Sequence, residues 1–78
     1  MSPSSDIVQG LLEQVRQEQV RQGITRTELA RRAGMHATTV SDALNGRYHK
    51  PTLGTVCRLA GALGMRVHAE LVRGAPHQ

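Results

Sequence analysis

The chain has no Trp and no Phe, and Tyr48 is the single aromatic among its 78 residues. A core without rings must be assembled from Leu, Val, Ile, Ala and Met, which suits small helices better than a sheet sandwich. Cysteine is equally scarce. A lone Cys57 excludes an internal disulfide and a cysteine metal framework, and a small buried side chain is the expectation for it. No apolar run approaches the roughly 18 residues that would cross a bilayer. The opening MSPSSDIVQG lacks the basic stretch followed by an apolar one that marks a secretory signal. These absences point to a soluble cytoplasmic protein with no membrane partner.

Acidic residues are in the minority, six Asp and Glu against ten Lys and Arg, for a net charge of +4. A basic balance favours a polyanionic partner, because displacing counterions from phosphates drives binding without regard to sequence. All but one of the cations are Arg, Lys50 being the exception. A chain this short forms one domain with a thin core, and a second subunit is a natural source of further burial.

What is present is helical punctuation. Residues 1–5 read as a disordered start. From Ile7 to Gln22 the residues Ile7, Val8, Leu11, Leu12, Val15, Gln19 and Val20 recur at helical spacing, and Gly23 stands where a C-terminal cap belongs. The Gln-rich face is too short for a coiled coil and reads as solvated. Thr25-Arg26-Thr27-Glu28 has capping-box spacing, in which the Thr25 hydroxyl and the Glu28 carboxylate satisfy free amides at a helix start. Leu29, Ala30 and Ala33 face inward, and Gly34 stops this helix. Met35 and His36 lead to a third helix over Ala37 to Leu44, pinned by Val40 and Leu44 and closed by Asn45-Gly46. After the polar RYHKP, Thr52 caps a fourth helix whose stripe is Leu53, Val56, Leu59, Ala60 and Leu63, with Gly64 as the stop. Met65, Val67, Ala69 and Leu71 then alternate with Arg66, His68 and Glu70, which is a strand pattern.

Two short helices joined by a glycine turn form a helix-turn-helix, here about residues 25–45, whose second helix enters the major groove of DNA. That helix offers Ala37, Thr38, Thr39, Ser41 and Asp42 outward. A generic amphipathic helix would carry Lys and Glu there. Small side chains suit a surface that must approach DNA closely.

The run GITRTELARRAGMHATTVSDALNGRYHKPTLGTVCRLAGALG resembles the lambda-repressor/Cro-like, or Xre-type, helix-turn-helix family. The likeness covers about residues 12–64 and implies a mainly α fold. Its expected form is a four-helix DNA-binding domain over 6–64, a short C-terminal β-strand over 65–73 and a tail over 74–78. It implies base reading by Ala37, Thr38 and Asp42, and phosphate contacts from Arg26, Asn45, Arg47, Tyr48 and Lys50. Physical chemistry is consistent with that set. Helix-start amides beside His36 attract anions, Arg47 and Lys50 add charge, and Tyr48 and His49 can donate to phosphate oxygens.

The chain departs from the family in three places. Relatives often read adenine through Gln, whereas Ala37 offers a methyl, Thr38 a hydroxyl or methyl, and Asp42 an acceptor for a cytosine amino group. Direct readout is therefore sparse, leaving DNA shape and Arg47 to supply the rest. Where some relatives link the first helix to the recognition helix by an Arg–Glu pair, the matching positions are Gln19 and Leu44, which implies an apolar contact. The terminal GMRVHAELV resembles the antitoxin branch, in which strands pair across a dimer. Met65, Val67, Ala69 and Leu71 are the interface that this implies.

The expectation is a homodimeric, sequence-specific, nucleoid-associated repressor that reads an inverted repeat in double-stranded DNA, in the setting of an autoregulating antitoxin. The alternative is a protein-interaction module that covers a toxin or another protein. No catalytic constellation can be assembled, so an enzyme is disfavoured, and no cofactor or metal is expected. Arg31, Arg32 and Arg58 read equally well as ordinary exposed helix residues.

Overall fold

The computed structural model describes residues 3–47 and 51–74. Within them lie α1 (Pro3–Gln22), α2 (Arg26–Ala33), α3 (Ala37–Leu44) and α4 (Leu53–Ala62). The mainly helical expectation therefore holds, and α1 begins at Pro3 rather than Ile7.

Each connection is short because each helix is stopped abruptly. Gly23, Gly34, Gly46 and Gly64 all have positive φ, the left-handed geometry that costs glycine nothing. After α2, the Gly34 amide donates to the Arg31 carbonyl and the Met35 amide reaches the Ala30 carbonyl at 2.9 Å. Carbonyls that the helix end would orphan are thereby satisfied. The same arrangement closes α4, where the Met65 amide donates to the Ala60 carbonyl at 2.8 Å.

Among the described residues the core is aliphatic. Leu12 and Val15 of α1, Leu29 and Ala30 of α2, Val40, Ala43 and Leu44 of α3, and Val56, Leu59, Ala60 and Leu63 at α4 are buried together. The helix-turn-helix pair packs on itself, and α1 and α4 close the other side. Gln22 ties those two helices together, its amide donating to the Leu63 carbonyl at 2.8 Å across 41 residues of chain.

Some sequence expectations require correction. Ile7, Val20 and Leu53, counted as core, are exposed, and so is Cys57. A helix turns about 100° per residue, which puts Leu53 and Cys57 on the flank of the Val56–Leu59–Ala60–Leu63 stripe. Gln19 makes a polar contact, not the apolar one expected with Leu44, by donating its amide to the Ile24 carbonyl. Leu44 is buried in the core instead.

The largest correction is C-terminal. No β-strand occurs among the described residues, and 65–74 run on without regular structure. The alternation of the sequence is nonetheless real as far as His68. Met65 and Val67 are half-buried against the core while Arg66 and His68 are exposed. A period of two records which side of a segment is buried. A strand needs in addition a ladder of hydrogen bonds to a neighbour, and α1 and α4 offer none.

Candidate nucleic-acid interface

The start of α2 is fixed by Thr25, whose hydroxyl accepts from the Glu28 amide at 3.0 Å. Only this half of the expected capping box forms. The Glu28 carboxylate turns forward along the helix, taking Arg31 Nε at 2.9 Å and Arg32 Nε at 2.8 Å. Hydrogen bonds from Arg31 and then Arg32 hold the Glu28 carboxyl down to about 2. The same contact raises the Arg31 guanidinium above its ordinary value. Both arginines are thus engaged with α2 itself.

Arg26, one residue into α2, points the other way. Its Nη1 donates to Ser41 Oγ at 3.1 Å and to Asn45 Oδ1 at 2.8 Å, so the start of α2 is tied to the end of α3. The turn between the helices needs Gly34, at φ 68° and ψ 37°. His36 then enters α3 with extended backbone and no side-chain cap on the amides that follow. Those amides are donors that a helix start leaves open to an anion.

Along α3, Val40, Ala43 and Leu44 are buried, which fixes the opposite face. Ala37 and Thr38 are exposed, and Thr39, Ser41 and Asp42 are half-buried. Ala37, Thr38, Ser41, Asp42 and Asn45 share one helix face by their spacing. Of the expected base-reading residues, Ala37, Thr38, Ser41 and Asp42 are therefore brought together, with a difference in freedom, while Thr39 lies off that face. Ser41 is engaged by Arg26, and at 3.4 Å by Asn45 Nδ2, whereas Thr38 stands at the outer end.

Beyond α3, Gly46 at φ 75° turns the chain, and the Arg47 amide closes back on the Asp42 carbonyl at 2.8 Å. Arg47 Nε lies 3.9 Å from Asp42 Oδ1, a loose pair between exposed groups. His36, Asn45 and Arg47 are exposed around α3. Tyr48, His49 and Lys50, expected to contact phosphate, lie outside the described residues. Of the four residues proposed for a dimer interface, Met65 and Val67 pack on this chain's own core, while Ala69 and Leu71 are exposed.

The sequence did not disclose the Arg26–Ser41–Asn45 cluster or the Asp42–Arg47 pair. Both depend on how α3 lies against α2 and on how its last turn closes. No residue spacing encodes those angles. Among the described residues no group of His, Cys, Asp or Glu is gathered as a metal site, and no helix is long and apolar enough to cross a membrane.

A family model described as a helix-turn-helix domain matches residues 11–72, well over half of the chain. No curated protein and no solved structure matches.

Proposed function

From the premise that this chain belongs to the helix-turn-helix domain family, a family of DNA-binding domains, we propose that it is a sequence-specific transcriptional regulator. Its reading head is α3. The observation that carries this is the outer face of that helix, with exposed Ala37 and Thr38 at an N-terminus that no side chain caps. Small residues there let the helix sink into a major groove, and the free amides meet a phosphate. Thr38 and Asp42 read base edges, while Asn45 and Arg47 hold phosphates beyond the end of α3. Arg26 supports Asn45 from behind.

The regulator acts as a repressor on an inverted repeat, bound by two copies. Leu71 and Val72 support a second copy: they are 103% and 78% exposed, an apolar pair that solvent leaves uncovered. The same pair supports an antitoxin-like setting, in which a protein partner is covered and the gene pair represses itself. A protein-interaction module without DNA affinity is the competing reading, and it would use the same residues.

Selection of bound duplexes from random DNA tests the proposal. Recovery of one palindromic site is the expected result. Absence of any retained duplex at low salt would leave the protein-partner reading in its place.

A further inference from the structure

The first turn of α2 and the last turn of α3 meet at one guanidinium nitrogen. Arg26 Nη1 donates to Asn45 Oδ1 at 2.8 Å, to Ser41 Oγ at 3.1 Å and, at the limit of reach, to the Ser41 carbonyl at 3.5 Å. Asn45 Nδ2 leans back on Ser41 Oγ at 3.4 Å. A guanidinium has N–H donors and no acceptor, so only the oxygen end of an amide can face it. That fixes the orientation of Asn45. With its oxygen turned to Arg26, the NH2 group of this exposed residue faces away from the guanidinium. A long contact to Ser41 engages at most one of the two N–H bonds, and the other makes no hydrogen bond among the described residues.

We propose that Arg26 is a positioning residue that presents Asn45 Nδ2 as a donor to a phosphodiester oxygen of DNA at the C-terminal end of α3. This inference rests on the DNA-binding reading above. The location makes such a device necessary. A helix C-terminus carries partial negative charge and repels an anion, in contrast to the α3 N-terminus, where the open amides attract one unaided. Donation from a cation into the amide oxygen polarises the amide and strengthens its N–H as a donor. The chain guanidinium, amide, phosphate therefore carries positive potential across a helix end of the wrong sign. Arg26 works through Asn45 instead of standing as a separate phosphate contact.

A simple latch between α2 and α3 would use the same three residues, and Asn45→Asp separates the two roles. The carboxylate still faces Arg26, in a stronger charge-assisted pair, but the outward donor becomes an anion. A latch would be kept or improved, whereas a phosphate contact would be lost.

The experiment measures binding of the full chain to a selected duplex and to a random-sequence duplex across a salt series, with thermal unfolding alongside. Asn45→Asp is expected to unfold near the wild-type temperature, the charge-assisted pair with Arg26 offsetting the repulsion of a carboxylate by the helix end. It should bind both duplexes about tenfold or more weakly, the scale of a hydrogen bond to a charged group. Asn45→Ala and Arg26→Ala should each weaken binding, and the double variant should be no weaker than Asn45→Ala alone. Wild-type affinity in Asn45→Asp, or losses that add in the double variant, would overturn the positioning role. A wild-type chain that binds neither duplex would overturn the DNA-binding reading itself, and this inference with it.

Discussion

Arg47 Nε sits 3.9 Å from Asp42 Oδ1, so a residue assigned to a phosphate and a residue assigned to a base edge are paired with each other in the free protein. The pair is exposed and weak, and binding DNA would exchange it for two contacts of different kinds. Arg47→Ala should therefore weaken binding to every duplex and flatten the salt dependence by about one phosphate contact. Asp42→Ala should leave random-sequence binding unchanged or tighter while lowering discrimination at one base pair. A titration of both variants in rising salt separates these outcomes; equal salt slopes for Arg47→Ala and wild type would remove Arg47 from the phosphate set.

Thr38 is an exposed polar residue on the reading face and makes no side-chain hydrogen bond among the described residues. Thr38→Ala should relax preference at one position of the selected site by about 1–3 kcal/mol, the usual worth of one base contact. Competition between the site and its single-base variants is the measurement. The fold should be untouched, since Thr38 contributes nothing to the core.

Gly34 tests the turn. Nothing lies within 4 Å of a Cβ built there, yet its φ is +68°, so the cost of a side chain is backbone strain alone. Gly34→Ala should destabilise the domain by about 1–2 kcal/mol, read as a lower urea midpoint at unchanged slope. A neutral result would mean that the turn can relax, and with it the angle between α2 and α3.

Acid sensitivity follows from three carboxylates. Glu13, Glu18 and Glu28 are each held down to about 2 by hydrogen bonds, from Arg16, Arg21 and Arg31 in turn. A carboxyl whose value is lower in the folded chain stabilises it fully above the ordinary value of 4.5 and loses that contribution as the pH falls toward about 2. The unfolding temperature should thus be insensitive to these groups near neutrality and decline below about pH 4.5. Replacing all three by Gln should make the acid decline shallower. The effect is small, because all three pairs are at the surface.

The second copy is tested at Leu71 and Val72. Both are exposed, so Leu71→Ser with Val72→Ser should leave thermal unfolding of the monomer fold in place and shift sedimentation from dimer to monomer. Cutting the chain at Gly64 would be a poorer test, since it also removes Met65 and Val67, which pack on the core. A wild-type chain that sediments as a monomer would end the proposal.

Most of the helix-turn-helix was legible in the residues because its boundaries are written in local chemistry. Thr25 and Thr52 cap, Gly34 and Gly64 stop, and the stretch Ala37–Leu44 lies between such signals. The C-terminal segment was misread because Met65 and Val67 alternate with polar neighbours for the sake of one buried side, and alternation is blind to hydrogen-bond partners. Glu28 was assigned to its cap because spacing alone cannot weigh a backbone amide against two arginines one turn ahead. The pairing of Arg26 with Asn45, and that of Gln22 with Leu63, join residues far apart in the chain. Those contacts come from how helices lie on one another.

The ringless core has an optical consequence. With Leu, Val and Ala filling the interior among the described residues and neither Trp nor Phe anywhere in the chain, those buried side chains emit no light of their own. Unfolding of the helices is followed most directly through the peptide chromophore, by far-ultraviolet circular dichroism. The sole fluorophore, Tyr48, lies four residues beyond Leu44, the last residue of the reading helix. Its emission can therefore serve as a label-free reporter of DNA engagement against a background that is otherwise dark.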